Sequence, residues 1–134
     1  MSAVIAAERF IYEALMGDAT LMSMVTGVFR DTAPEDAEYP LVRFALYGDG
    51  QTHRNDSGRM LWSRLDFVVT AVGEGESRTA LEAIADRIKQ VLHRSSGGQV
   101  LSALQVAPVA YEDRDGERVY QYLGAVYEIT VKED

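Results

Sequence analysis

The sequence predicts an α+β fold: a mainly antiparallel sheet of four to five strands with two helices packed on one face. The expected order is α-β-β-α-β-β, with a short helical stub after the first helix. Three observations carry this. In Leu61–Val72, Leu61, Leu65, Phe67, Val69 and Ala71 share one parity, so one face of a strand is almost wholly apolar. Behind an acidic glycine turn, Leu81, Ile84, Ala85, Ile88 and Leu92 fall on one stripe of a helix. In the closing stretch Val119–Val131, Leu123, Ala125, Tyr127, Ile129 and Val131 again alternate with more polar positions. A one-faced strand and a one-striped helix each need a cover, and each supplies it to the other.

The remaining elements follow in order. Ser2–Met16 reads as an amphipathic helix on Val4, Ala7, Ile11 and Leu15, its stripe widened by Ile5 and Tyr12. Gly17 ends it, and Asp18 caps a stub carrying Leu21, Met22 and Val25 before Gly27. Val28–Arg30 is a short extended piece, and the proline-punctuated Asp31–Pro40 is a loop. Leu41–Tyr47 is a strand with Val42, Phe44 and Leu46 on one face. Gly48–Arg59 contains no apolar residue; it is either a disordered loop or a two-stranded excursion. Ser77 is placed to cap the main helix, whose last residue region holds His93 against the C-terminal dipole. Ser95–Gly98 reads as a flexible connector. A strand around Leu104–Tyr111 is interrupted by Pro108, which favours an edge or a bulge. Asp113-Arg114-Asp115-Gly116 is a hairpin turn centred on Asp-Gly.

The 134 residues suit a single domain, 1–134, with no internal repeat or linker. There is no cysteine, which excludes disulfides and thiolate metal sites. The N-terminus lacks a basic n-region and is broken by Glu8, Arg9 and Glu13, so it reads as helix and not signal peptide. No window approaches the roughly 20 apolar residues of a membrane span. The net charge of −8 argues against nucleic-acid binding over a broad surface, because phosphates are repelled.

No credible active site emerges. His53, Asp56 and Ser57 are the residue types of a hydrolytic triad, but all three lie on one polar segment with no strained nucleophile elbow. Gly73 and Gly75 precede a helix as dinucleotide-binding glycines do, yet Glu74 and Glu76 stand where a phosphate must approach. His53 and His93 lack partners at ligand spacing. Glu112, Asp113, Asp115 and Glu117 crowd one turn without the pattern of a calcium loop. No enzyme, cofactor or metal is expected. Two features exceed an ordinary domain: the polar excursion, whose only basic groups are His53, Arg54 and Arg59, and the Tyr-rich last strand with Tyr120, Tyr122 and Tyr127.

The pattern as a whole resembles a known family. A helix runs into LMSMVTGVFRDTAPEDAEYPLVRF; then come the Trp-bearing strand LWSRLDFVVTAV, an acidic turn, the helix ALEAIADRIKQVLH and a closing strand pair. This is similar to the tail-completion or tail-terminator proteins of long-tailed bacteriophages and gene transfer agents, the broad group of the lambda tail terminator. The resemblance implies a hexameric ring on the head-proximal end of the tail tube, which stops tube growth and presents a surface to the head–tail connector proteins. It implies a virion tail protein, assembled in the bacterial host cytoplasm, through whose lumen DNA passes without specific binding. Interface residues expected on this reading are Asp49, His53, Arg54 and Arg59 towards the tube. Tyr120 and Tyr122, or the main helix, are expected within the ring. A connector or neck subunit, and a small ligand-binding or regulatory module, stay open as alternatives.

Overall fold

The computed structural model describes residues 2–48, 50–54 and 60–133, and for 51–54 and 60 the backbone alone. Its helices are α1 (Ala3–Met16), α2 (Ala19–Met22) and α3 (Arg78–Leu92). Its strands are β1 (Val28–Arg30), β2 (Leu41–Leu46), β3 (Gln51–Arg54), β4 (Met60–Gly73), β5 (Ser95–Gly97), β6 (Val100–Asp115) and β7 (Arg118–Lys132). The α+β class, both main helices and the stub agree with the sequence, but the sheet is larger than the expected four to five strands. Seven strands form one sheet, in the order β1-β2-β4-β7-β6-β5, with β3 also beside β4. Among the described residues only β1 and β2 pair in parallel.

The additional strands are short and made of residues that carry no strand pattern. β3 lies in the polar excursion and pairs with the first half of β4, from Gln51↔Arg64 to Arg54↔Met60, through a bulge. Of the two readings of Gly48–Arg59, the described part is therefore the two-stranded one. β5 replaces the expected flexible connector: Ser95 pairs with Ala103 and Gly97 with Val100. Such pairing is made by backbone groups and needs no apolar side chain.

The helices form where their caps place them. Ser2 Oγ accepts from Ile5 N–H at 3.2 Å, and Ser77 Oγ accepts from Ala80 N–H at 3.1 Å. Asp18 does the same for α2, accepting from Leu21 N–H at 2.9 Å. Asp18 also takes both arms of Arg87, Nε and Nη2 each at 2.8 Å, which staples the start of α2 to the middle of α3. The core lies between these helices and one sheet face, joining Ala7, Ile11 and Leu15 to Leu81, Ile84, Ile88 and Leu92 over Phe67, Val69 and Ile129. Burying such side chains contributes about 1.5–3 kcal/mol each. The opposite face buries Leu41, Ala45, Thr70, Val72 and Val126.

Four positions expected in the core are exposed. Ile5 (51%) and Tyr12 (43%) lie outside the α1 stripe, which is narrower than the sequence suggests. Leu46 (41%) ends β2 beyond the reach of β1, whose last paired residue is opposite Phe44. Leu61 (42%) precedes the first β4–β7 pair, Trp62↔Lys132.

Candidate assembly surfaces

The hairpin of β6 and β7 sets the geometry of the Tyr-bearing strand. Its last pair is Asp115↔Arg118, so the loop is Gly116–Glu117, one residue later than the Asp-Gly-centred turn expected from sequence. Gly116, at φ +65°, takes the left-handed conformation that the first loop residue requires. Moving a two-residue loop by one position moves the pairing by two residues, so the strand keeps its faces while its opposite partners change. Here it sets Tyr111 directly opposite Tyr122, their rings stacked with centroids 4.4 Å apart and planes 7° from parallel.

Tyr120 meets Tyr39, from the loop before β2, at 5.4 Å. Four tyrosines from three segments thus line the sheet face away from the helices. Tyr120 and Tyr122 lie on the face that the strand alternation assigns them, whereas their ring partners Tyr39 and Tyr111 were missed. A correct hairpin register reveals Tyr111; Tyr39 depends on a long-range loop that no local pattern encodes. Burial raises the Tyr122 phenol above its ordinary value, with the neighbouring Tyr111 and Asp113 adding to it. The Tyr39 phenol is raised by burial first, then by Tyr120 and Glu74. Both stay neutral hydroxyls at physiological pH, suited to contact surfaces that are part apolar and part polar.

Beside this array lies a strongly acidic end of the molecule. Glu35, Asp36, Glu38, Glu74 and Glu76 surround one concavity with Arg118. Segments 31–38, 74–78 and 112–118 hold ten acidic and three basic residues, a net −7 of the chain's −8. Arg118 is held above its ordinary value by its hydrogen bond to Tyr120, and then by the charges of Tyr120 and Glu74. Among the described residues no group of three or more His, Asp or Glu side chains is placed to hold a metal ion.

At the other end of the same face, the Arg64 guanidinium stands 5.3 Å from the Trp62 ring centroid and 3.4 Å from Glu128. His53 and Arg54 lie on β3, alongside Trp62 and Met60 of β4. Asp49 and Arg59, and the triad candidates Asp56 and Ser57, lie outside the described residues. His93, at the end of α3, turns its ring towards β6. Its Nδ1 accepts from Gln105 N–H at 3.0 Å, which ties the end of the helix to the middle of that strand.

The family model of tail completion protein gp17 matches residues 9–128, from the middle of α1 to near the end of β7. A chain in the solved structure of the virion of a native gene transfer agent (GTA) particle has a similar fold, with a TM-score of 0.69. Its identity is 18%, over 92% of this chain and 92% of that one. No curated protein matches the chain in sequence.

Proposed function

The chain belongs to the tail completion protein gp17 family, structural proteins of the bacteriophage tail, and from that premise we propose that it is a tail terminator. Six copies close into a ring on the head-proximal end of the tail tube, stop its polymerisation and offer the outer surface to the head–tail connector proteins. The observation that carries this is the family match, which spans the second half of α1, all of α3 and six complete strands, β1 to β6. The protomer acts as one folding unit, is assembled in the host cytoplasm and stays in the finished virion.

Physical features support the reading. Six copies of a −8 chain carry six times that formal charge, and lumen-facing carboxylates repel DNA phosphates during passage. The polar segment Gly48–Arg59, which carries Asp49, His53, Arg54 and Arg59 in sequence, is the part of the chain assigned on this reading to the tube. The Tyr120 and Tyr122 surface faces a protein partner in the assembled tail, within the ring or beside it. The test is a complementation experiment in particles lacking this protein. Tubes of uncontrolled length are expected without it, and tubes of fixed length when it is restored. A deletion of Gly50–Gly58 should keep the circular dichroism of the folded chain and lose length control. Tails of normal length in the absence of the protein overturn the terminator reading; normal tails with the deletion overturn the role of the excursion.

A further inference from the structure

Ten large hydrophobic side chains stand exposed among the described residues, and nine of them lie towards the two lateral edges of the sheet. On the β1–β2 side are Ile5, Tyr12 and Met16 of α1, with Leu46 and Tyr47 at the end of β2. On the β6 side are Leu101, Leu104, Val106 and Tyr111. The tenth, Leu61, is on β4.

The α1 strip looks away from β6. One flank of α1 carries Phe10, which packs at Gly97 of β5. Ile5 and Tyr12 occupy the other flank, beside Glu8, whose Oε1 lies 3.3 Å from Arg30 Nη1 of β1. They line an open concavity that reaches down to Phe44.

The β6 edge is bare. β5 covers β6 only as far as Ala103, and from Leu104 to Asp115 the one strand paired with it, among the described residues, is β7. Val100–Ala110 contains no charged residue, and Leu101 and Val106 are 51% and 52% exposed. Proteins that stay monomeric blunt a long edge with lysines, bulges, brevity or a covering element. On this strand of 16 residues β5 covers the start, two bulges and Pro108 interrupt the ladder and Glu112–Asp115 charge the far end, which leaves Leu104–Tyr111 without a charged side chain among the described residues.

We propose that the β6 edge of one copy docks against the α1–β1 edge of a second copy, head to tail, and that this contact builds the ring. The inference rests on the ring reading above and names its interface. Two apolar strips on opposite edges of one chain call for this arrangement. A two-fold contact of β6 with β6 leaves the α1 strip bare on both partners. A head-to-tail contact covers both strips on every copy and repeats until the rotation closes. Strand polarity agrees. β6 runs in the direction of β4, and β1 and β2 run against it, so a neighbour in the same orientation brings an antiparallel edge to β6.

The test uses the full chain with one lysine on either edge: Val106→Lys, with Leu104→Lys as a second β6 variant, and Tyr12→Lys. All three side chains are at least 36% exposed, so each variant should melt within about 2 °C of the wild type. Native mass spectrometry is performed at a concentration that assembles the wild type, alone or on isolated tube ends. Each variant alone should be monomeric. A mixture of Val106→Lys and Tyr12→Lys retains one intact α1 edge and one intact β6 edge, so it should give a one-to-one heterodimer and nothing larger. Homodimers of Tyr12→Lys indicate a two-fold β6 contact and overturn the proposal, as do rings that survive both substitutions. A wild type that never associates, even on tube ends, overturns the ring reading itself, and this interface with it.

Discussion

Replacing Gly124 by alanine tests how tightly the centre of the sheet is closed. Gly124 pairs with Thr70 of β4 on one side and with Val109 of β6 on the other. A methyl group there is driven into the Val69 carbonyl oxygen, with Thr70 Cα at 2.7 Å and the Val69 carbonyl carbon at 3.0 Å. Ordinary contact begins at 3.4 Å, so relief of the 2.7 Å contact alone requires a separation of 0.7 Å. The atoms that must move are backbone, not the far end of a flexible side chain. Overpacking of this kind costs about 1–3 kcal/mol. Separating the strands also weakens two ladder hydrogen bonds, each contributing about 1 kcal/mol. The sum, about 3–5 kcal/mol, is a large share of the about 5–15 kcal/mol that holds a domain together. Melting should fall by about 10–15 °C, read by far-ultraviolet circular dichroism and checked by urea titration. Gly98→Ala is the control: nothing lies within 4 Å of its added methyl, so only the strain of φ +56° is introduced, about 1–2 kcal/mol. A Gly124→Ala protein no less stable than Gly98→Ala refutes the close-approach argument.

Three further outcomes are expected. Hydrogen bonding to Arg87 first, and then to Leu21 N–H, holds the Asp18 carboxyl at about 2, below its ordinary 3.8, so its contribution is complete above about pH 4 and disappears as pH falls towards 2. Urea midpoints between about pH 5 and pH 2, which bracket the ordinary carboxylate range, should therefore fall more steeply for the wild type than for Asp18→Asn, and equal slopes count against the staple. Arg94 follows α3 at φ +67°, where glycine is the usual residue, so Arg94→Gly should raise stability by about 0.5–1 kcal/mol in a urea titration; a loss refutes it. Copies of charge −8 that associate through apolar strips should assemble better as salt rises from about 0.01 to 0.15 M, where the Debye length shrinks from about 30 to 8 Å; weakening with salt in sedimentation points instead to interfacial ion pairs.

Elements with a long apolar period were legible in the sequence. The β4 parity at Leu65, Phe67, Val69 and Ala71, and the α3 stripe at Leu81, Ile84, Ile88 and Leu92, are both buried as read. The caps Ser77 and Asp18 were legible because a hydroxyl or carboxylate just before an apolar stripe has a specific use there. The short strands were not, since Ser95–Gly97 and Gln51–Arg54 are held by main-chain pairing that their side chains do not advertise. Tyr120 and Tyr122 were found as amphipathic positions on a long strand. Pairing Tyr122 with Tyr111 needed the hairpin loop placed one residue later, and Tyr39 reaches Tyr120 from a distant loop that no local pattern encodes.

Periodicity counts apolar residues, and it cannot say whether the cover comes from the same chain. Ile5 and Tyr12 extend the α1 stripe on a helical wheel, and Leu46 completes the parity of Val42 and Phe44, yet all three are open to water. The core does not lack them: Ile11, Leu15, Phe44 and Phe67 are each 1% exposed or less, and α1 already sits on its small residues Ala6 and Ala7. Leaving a large aliphatic side chain exposed forfeits about 1.5–3 kcal/mol relative to burial. A chain that forfeits this repeatedly at two opposite edges, while gathering its carboxylates at one end of the sheet, is poorly arranged for life as a monomer. The same residues are well arranged for repeated contact between copies, because the edges can be covered without bringing the like-charged end loops into the apolar contact. On the proposed ring, the exposed positions Ile5, Tyr12 and Leu46 and the association surface are one feature: the apolar periodicity of α1 and β2 continues past the chain's own core, and a second copy would complete it.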